Sequence, residues 1–187
     1  MKIALLNSKG GCAKTTSAVF LAQVAHNRGY DVEIWDMDPQ ASASQWAATG
    51  NLPFSVTPAN IASLKKSAGE KVIFIDTPPG NPQIITEAAR ASDLAIIPTN
   101  ASLSDMDRTW ATIDALKNDV PVAVLVTAAE TSTRVYRGLV EALEEADVAL
   151  LPPVRKRAMF REAFGDRPTK FWGYDSVFTE IQEALED

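Results

Sequence analysis

Ile3-Ala4-Leu5-Leu6-Asn7-Ser8-Lys9-Gly10-Gly11-Cys12-Ala13-Lys14-Thr15-Thr16 runs from four apolar residues into a turn rich in glycine and lysine. A helical pattern follows over residues 15–28, stopped by Gly29. Strand, turn and helix in this order suit a polyphosphate. Glycines let the backbone approach closely and turn its N–H groups inward, and the helix N-terminus adds positive potential. Lys14 can neutralise β- and γ-phosphate oxygens, and the Thr15 hydroxyl can ligate Mg²⁺. The common phosphate-loop pattern is G-x-x-x-x-G-K-[ST], and Ser8 and Ala13 stand here where it has glycine. Ala13 costs little if its φ is negative and strains the loop if its φ is positive.

Outward from this stretch, short β-rich runs alternate with longer helical patterns. Strands are predicted over 3–7, 32–35, 54–57, 72–75, 94–97 (closed by Pro98), 121–126 and 148–151 (closed by Pro152-Pro153). Helices are predicted over about 61–67, 83–91, 104–118 and 133–146. Continuous apolar strands mean burial on both faces, as in a parallel sheet. The pattern predicts a doubly wound α/β domain, a mostly parallel sheet of about seven strands flanked by helices, spanning residues 1–187. Ligands of such sheets bind at the carboxyl ends of the strands.

Composition removes several classes. Of the 187 residues 46% are hydrophobic and 22% charged, which excludes a disordered or low-complexity chain. The one cysteine, Cys12, excludes a disulfide framework within the chain and a cysteine-rich metal site, and points to a reducing, cytoplasmic setting. No apolar run approaches 18 residues, so no membrane-spanning helix is predicted. The N-terminal run is cut at Asn7-Ser8-Lys9, too short for a signal peptide. A net charge of −6 argues against a generally basic nucleic-acid binder, but residues 155–170 hold Arg155, Lys156, Arg157, Arg161, Arg167 and Lys170 against Glu162 and Asp166. That segment is either a local phosphate-binding patch or a solvated face with salt bridges.

Two further stretches place carboxylates after strands. Trp35-Asp36-Met37-Asp38-Pro39-Gln40 ends the second strand and Ile75-Asp76-Thr77-Pro78-Pro79-Gly80 the fourth. Either could be a capped turn. In order behind a phosphate loop, they supply what phosphoryl transfer needs near Mg²⁺ and the attacking water.

Lys9-Gly10-Gly11-x-x-Lys14-Thr15-Thr16 resembles the deviant Walker A motif of the ParA/MinD family of ATPases. Asp36-Met37-Asp38-Pro39-Gln40, Asp76-Thr77-Pro78-Pro79-Gly80 and Pro98–Asp105 resemble that family's later motifs, as does Tyr174-Asp175-Ser176-Val177-Phe178 near the end. The likeness is to the small form without an N-terminal DNA-binding domain. The resemblance implies a P-loop NTPase that hydrolyses ATP to ADP and phosphate with Mg²⁺, slowly without a partner. It implies catalytic roles for Lys9, Lys14 and Asp38, with Lys9 reaching phosphates on a second subunit. It places nucleotide on Lys9, Gly10, Gly11, Cys12, Ala13, Lys14, Thr15, Thr16, Asp76 and Gly80, adenine near Thr127 and Pro153, and metal at Thr15, Asp38 and Asp76. It further implies an ATP-bound homodimer that binds DNA non-specifically through Arg155, Lys156, Arg157, Arg161, Arg167 and Lys170. A ParB-like or other adaptor would stimulate hydrolysis and release, in a cytoplasmic, nucleoid-associated setting. The alternative is an ATP-gated protein scaffold or a MinD-like membrane switch without DNA binding. The tail weighs against a membrane, since residues 176–187 hold Glu180, Glu183, Glu186 and Asp187 and no Lys or Arg.

Overall fold

The computed structural model describes residues 1–186, apart from the side chains of Leu103, Arg161 and Glu186. Arg161, assigned above to DNA, therefore lies outside the described side chains. The strands are β1 (Lys2–Leu5), β2 (Val32–Asp36), β3 (Ser55–Pro58), β4 (Val72–Asp76), β5 (Leu94–Thr99), β6 (Val122–Val126) and β7 (Ala149–Leu150). They form one sheet in the order β3-β2-β4-β1-β5-β6-β7, and every pairing is parallel. The helices are α1 (Lys14–Asn27), α2 (Ser42–Gly50), α3 (Pro82–Arg90), α4 (Leu103–Leu116), α5 (Arg134–Glu145), the short α6 (Met159–Glu162) and α7 (Tyr174–Glu186). This is the predicted doubly wound P-loop fold.

Alternation along the strands divides the core in two. Ile3, Leu5, Ile34, Phe74 and Ile96 face α1, α2 and α7. Ala4, Leu6, Trp35, Ile73, Ile75 and Ile97 face α3, α4 and α5. α1 is buried continuously from Ser17 to Ala25, because it is sandwiched between the sheet and α7. A helix so enclosed carries no polar stripe.

Chain order and strand order together place the loops. β1 lies between β4 and β5, so its following loop opens at the centre of the carboxyl edge, the usual ligand crevice of an open α/β sheet. Register sets the level: Leu5 and Asp36 both pair with Asp76. The ends of β1, β2 and β4 therefore meet at one height.

Three expectations are corrected. Pro98 does not close β5, which runs to Thr99 with Pro98 opposite Leu125. Ala95 donates its N–H toward β6, to Pro121. By alternation the nitrogen of Pro98 faces β1, whose pairing has already ended at Leu5–Ile96; no ladder bond is lost there. The helix predicted over 61–67 is a single 3-10 turn at Ser63–Lys65. The Asn60 side chain accepts from the Ala62 and Ser63 N–H groups and holds the chain in a turn. Two longer helices were not predicted. α2 has only Ala43, Trp46 and Gly50 buried, too sparse a pattern to read. α7 was legible, with Tyr174, Val177, Phe178 and Ile181 at helical spacing and all buried.

α7 seals one side of the sheet. Tyr174 shares a hydrogen bond with Ser17 of α1 (2.9 Å), and the Arg28 guanidinium sits over the Phe178 ring. Phe178 is fully buried. Phe178→Ala is expected to cost about 3–5 kcal/mol in urea unfolding; a loss below about 1 kcal/mol would contradict this docking of α7.

Candidate functional site

The loop after β1 is held at both ends. Asn7, itself buried, donates to the Pro98 carbonyl (2.9 Å) and accepts from the Lys9 N–H (2.9 Å). Thr127 Oγ1 lies 3.2 Å from both the Cys12 and the Thr99 carbonyl oxygens, so its hydroxyl ties the loop to the ends of β5 and β6. Lys14 folds under the loop and donates to the Lys9 carbonyl (2.9 Å). Burial pushes the Cys12 thiol up, which suits a loop filler better than a reactive thiolate.

Gly11 and Ala13 both adopt left-handed backbone, with φ of 75° and 68°. Ala13 thus takes the positive-φ conformation that favours glycine. An alanine there costs roughly 1–2 kcal/mol in backbone strain.

The carboxylates divide their work. Asp76 is fully buried, and its Oδ2 accepts from Thr15 Oγ1 at 2.7 Å while Oδ1 has no hydrogen-bond partner among the described residues. Burial pushes this carboxyl up to about 7; Asp36 and Asp38 add to the rise, and the Thr15 hydroxyl and Lys14 oppose it. Among the described residues no cluster of three or more carboxylate, histidine or cysteine ligands is assembled, so the donors on offer to a hard cation are the Asp76 carboxylate and the Thr15 hydroxyl. Asp36 instead braces the chain, accepting from the Ser44 N–H (2.8 Å), the Ser44 hydroxyl (2.7 Å) and the Asp38 N–H (3.1 Å). Asp38 accepts from the Gln40 N–H (2.9 Å), and so caps a turn. It also borders a cavity of about 310 Å³ lined by Gly10, Lys14, Thr15 and Pro79. Gly80, at φ 70°, follows Pro79.

Lys9 forms an ion pair with Asp105, near the start of α4 on its own chain. The sequence marks Lys9 but assigns Asp105 no role; only the tertiary structure brings them together.

A second cavity of about 620 Å³ adjoins the first and shares Gly11, Ala13, Thr16, Trp46 and Phe164 with it. Thr127 and Val154 line it; Pro153 does not. Lys156 and Arg157 also line it, so two of the six cations assigned to DNA face the loop cavity. Lys156 is further paired with Glu130 (2.7 Å). Arg167 and Lys170 border a separate cavity beyond Phe20 and Trp172, and Arg155 is exposed.

A glycine-rich loop opening a central helix, with a threonine bonded to a strand-end aspartate, defines a P-loop nucleotide-binding protein. Residues 3–167 match the family described as the CobQ/CobB/MinD/ParA nucleotide binding domain, and the chain belongs to that family. It is 34% identical over 111 residues to the maintenance of carboxysome distribution protein A of Gloeobacter kilaueensis, a match over 56% of this chain and about half (51%) of that relative. It is 24% identical over 180 residues to the protein ParA of Rhizobium radiobacter, covering 87% of this chain and 81% of the relative. The fold matches a putative plasmid partition protein of Borrelia burgdorferi bound to AMPPNP, with a TM-score of 0.79, 20% identity and 98% coverage of both chains.

Replacing Ala13 by glycine removes the strain at a small entropic cost. Ala13→Gly is expected to stabilise the protein by about 1 kcal/mol, raising Tm by roughly 2–4 °C in calorimetry. An unchanged or lower Tm would show that Ala13 is not strained.

Proposed function

We propose that this chain is a Mg²⁺-dependent ATPase of the ParA type that dimerises on ATP and positions DNA or another cargo. The observation that carries this reading is the Thr15–Asp76 hydrogen bond at the head of α1, with Lys14 and Asp38 bordering the same cavity. The loop N–H groups and the α1 N-terminus bind the phosphate chain. Lys14 neutralises the β- and γ-oxygens. Asp76 and Thr15, with Asp38 beside them, would hold Mg²⁺, which supplies further charge neutralisation when bound. Asp38 orients the attacking water, and the products are ADP and phosphate.

Lys9 carries the switch. In the single subunit its ammonium is engaged by Asp105, which is almost fully buried. Reaching phosphates on a second subunit means exchanging that carboxylate for another anion and leaving the buried Asp105 without Lys9, a cost that the new phosphate contacts must exceed. ATP, with its γ-phosphate, offers the exchange that ADP lacks. The dimer thus forms with ATP and separates after hydrolysis.

DNA binding is the finer part of the proposal. Arg155, Arg167 and Lys170 are exposed, as are Arg134 and Arg137 on α5, and two subunits together double the patch. Such binding is non-specific and falls steeply with salt. A ParB-like or other adaptor would trigger hydrolysis, in a cytoplasmic, nucleoid-associated setting. A membrane role finds less support. Among the described residues no helix is long and apolar enough to cross a membrane, and the apolar face of α7 is buried in the core.

Asp38→Ala is expected to retain ATP-dependent dimerisation, read by light scattering, and to lose at least 100-fold in hydrolysis, in line with the contribution of positioned acid–base groups. Wild-type protein with neither ATP hydrolysis nor ATP-dependent association would overturn the ATPase reading. DNA co-sedimentation at two salt concentrations tests the rest. Binding is expected with ATP only, weaker at the higher salt, and lost in Lys9→Ala. Dimerisation with ATP but no DNA binding in any state would shift the cargo to a protein scaffold.

A further inference from the structure

We propose that Phe164 packs against the nucleoside of the bound nucleotide and so sets the affinity for the base end of the ligand. This rests on the nucleotide reading above and deepens it. The two cavities flanking the loop form one groove. Its narrow end lies between Gly10, Pro79 and Asp38, and its wide end at Asn100, Thr127 and Val154. Phosphates on the loop fill the narrow end, and the wide cavity is the contiguous space left for ribose and base. Phe164 lines both, at the seam.

The exposure of this ring has no account within the fold. Phe164 is 50% exposed, the highest value among the large apolar side chains described. One side of the ring nonetheless packs against α2. Its ring lies 5.2 Å from that of Trp46. Trp46 Nε1 donates to the Asp166 carbonyl at 2.7 Å. Gly165, at φ 86°, sits so close to Thr49 that a Cβ there would lie 3.1 Å from its hydroxyl. Gly165 thus packs closely on α2, and Asp166 is bonded to it. An aromatic packed on one side and bare on the other, at the seam of a nucleotide-sized groove, is placed to stack on a base.

The test compares two ligands that share phosphates and differ in the nucleoside. ADP and inorganic tripolyphosphate are titrated calorimetrically into wild type, Phe164→Ala and Phe164→Trp, with circular dichroism to verify folding. Phe164→Ala is expected to bind ADP about tenfold more weakly, the scale of one lost base–aromatic stack, with tripolyphosphate affinity unchanged. Phe164→Trp is expected to keep ADP affinity. Unchanged ADP binding in Phe164→Ala overturns the proposal, as does an equal loss for both ligands, which would report a distorted loop. Unchanged ADP binding with loss of ATP-dependent dimerisation would make Phe164 a subunit contact instead. Failure of the wild type to bind ADP would overturn the nucleotide reading itself, and this proposal with it.

Discussion

A carboxylate at the tip of a fully buried strand needs a partner, and for Asp76 that partner is Thr15. This contact joins β4, next to the central strand β1, to the first turn of α1 and determines where the rest of the site can be. The parallel register brings Leu5, Asp36 and Asp76 to one level, so the loop after β1, the turn after β2 and the turn after β4 converge on it. Burial and two neighbouring aspartates keep the Asp76 carboxyl near neutral pH in its titration. Stability is given up here: Asp76 Oδ1 has no hydrogen-bond partner among the described residues, and Ala13 holds left-handed backbone.

The basic segment, one run in the sequence, is divided in space. Lys156 and Arg157 turn toward the phosphate loop because the backbone of 154–156 is bonded to Ala129, extending the sheet past β7. Arg167 and Lys170 lie beyond the aromatic cluster of Phe20, Phe160 and Trp172. Between them, Trp46 and Asp166 tie the segment to α2, and α2 is in turn tied to Asp36 through Ser44. The turn that carries Asp38 and the basic segment thus both rest on α2. A run of charge in a sequence is one object only until the chain folds around an aromatic core.

Most of the sheet was legible because its strands are short, apolar and bounded by polar turns. The exceptions have local causes. Pro98 stays in β5 because its nitrogen points where no partner strand remains. Asn60 diverts a helical stretch into a turn. α2 carries too few apolar positions to declare itself, and is stabilised by Asp36 and Asp166 from outside its own sequence.

The sequence by itself determined the class of fold and marked the candidate phosphate-binding and acidic residues. These depend on spacing within a strand, a turn and a helix start, which are local properties of the chain. Only the tertiary structure decided that Ala13 is left-handed, that Thr127 braces the loop, that Lys9 rests on Asp105, and that Phe164 faces the groove. Each of these joins residues far apart in the chain or depends on the backbone angle a closed loop imposes, and no local pattern encodes them.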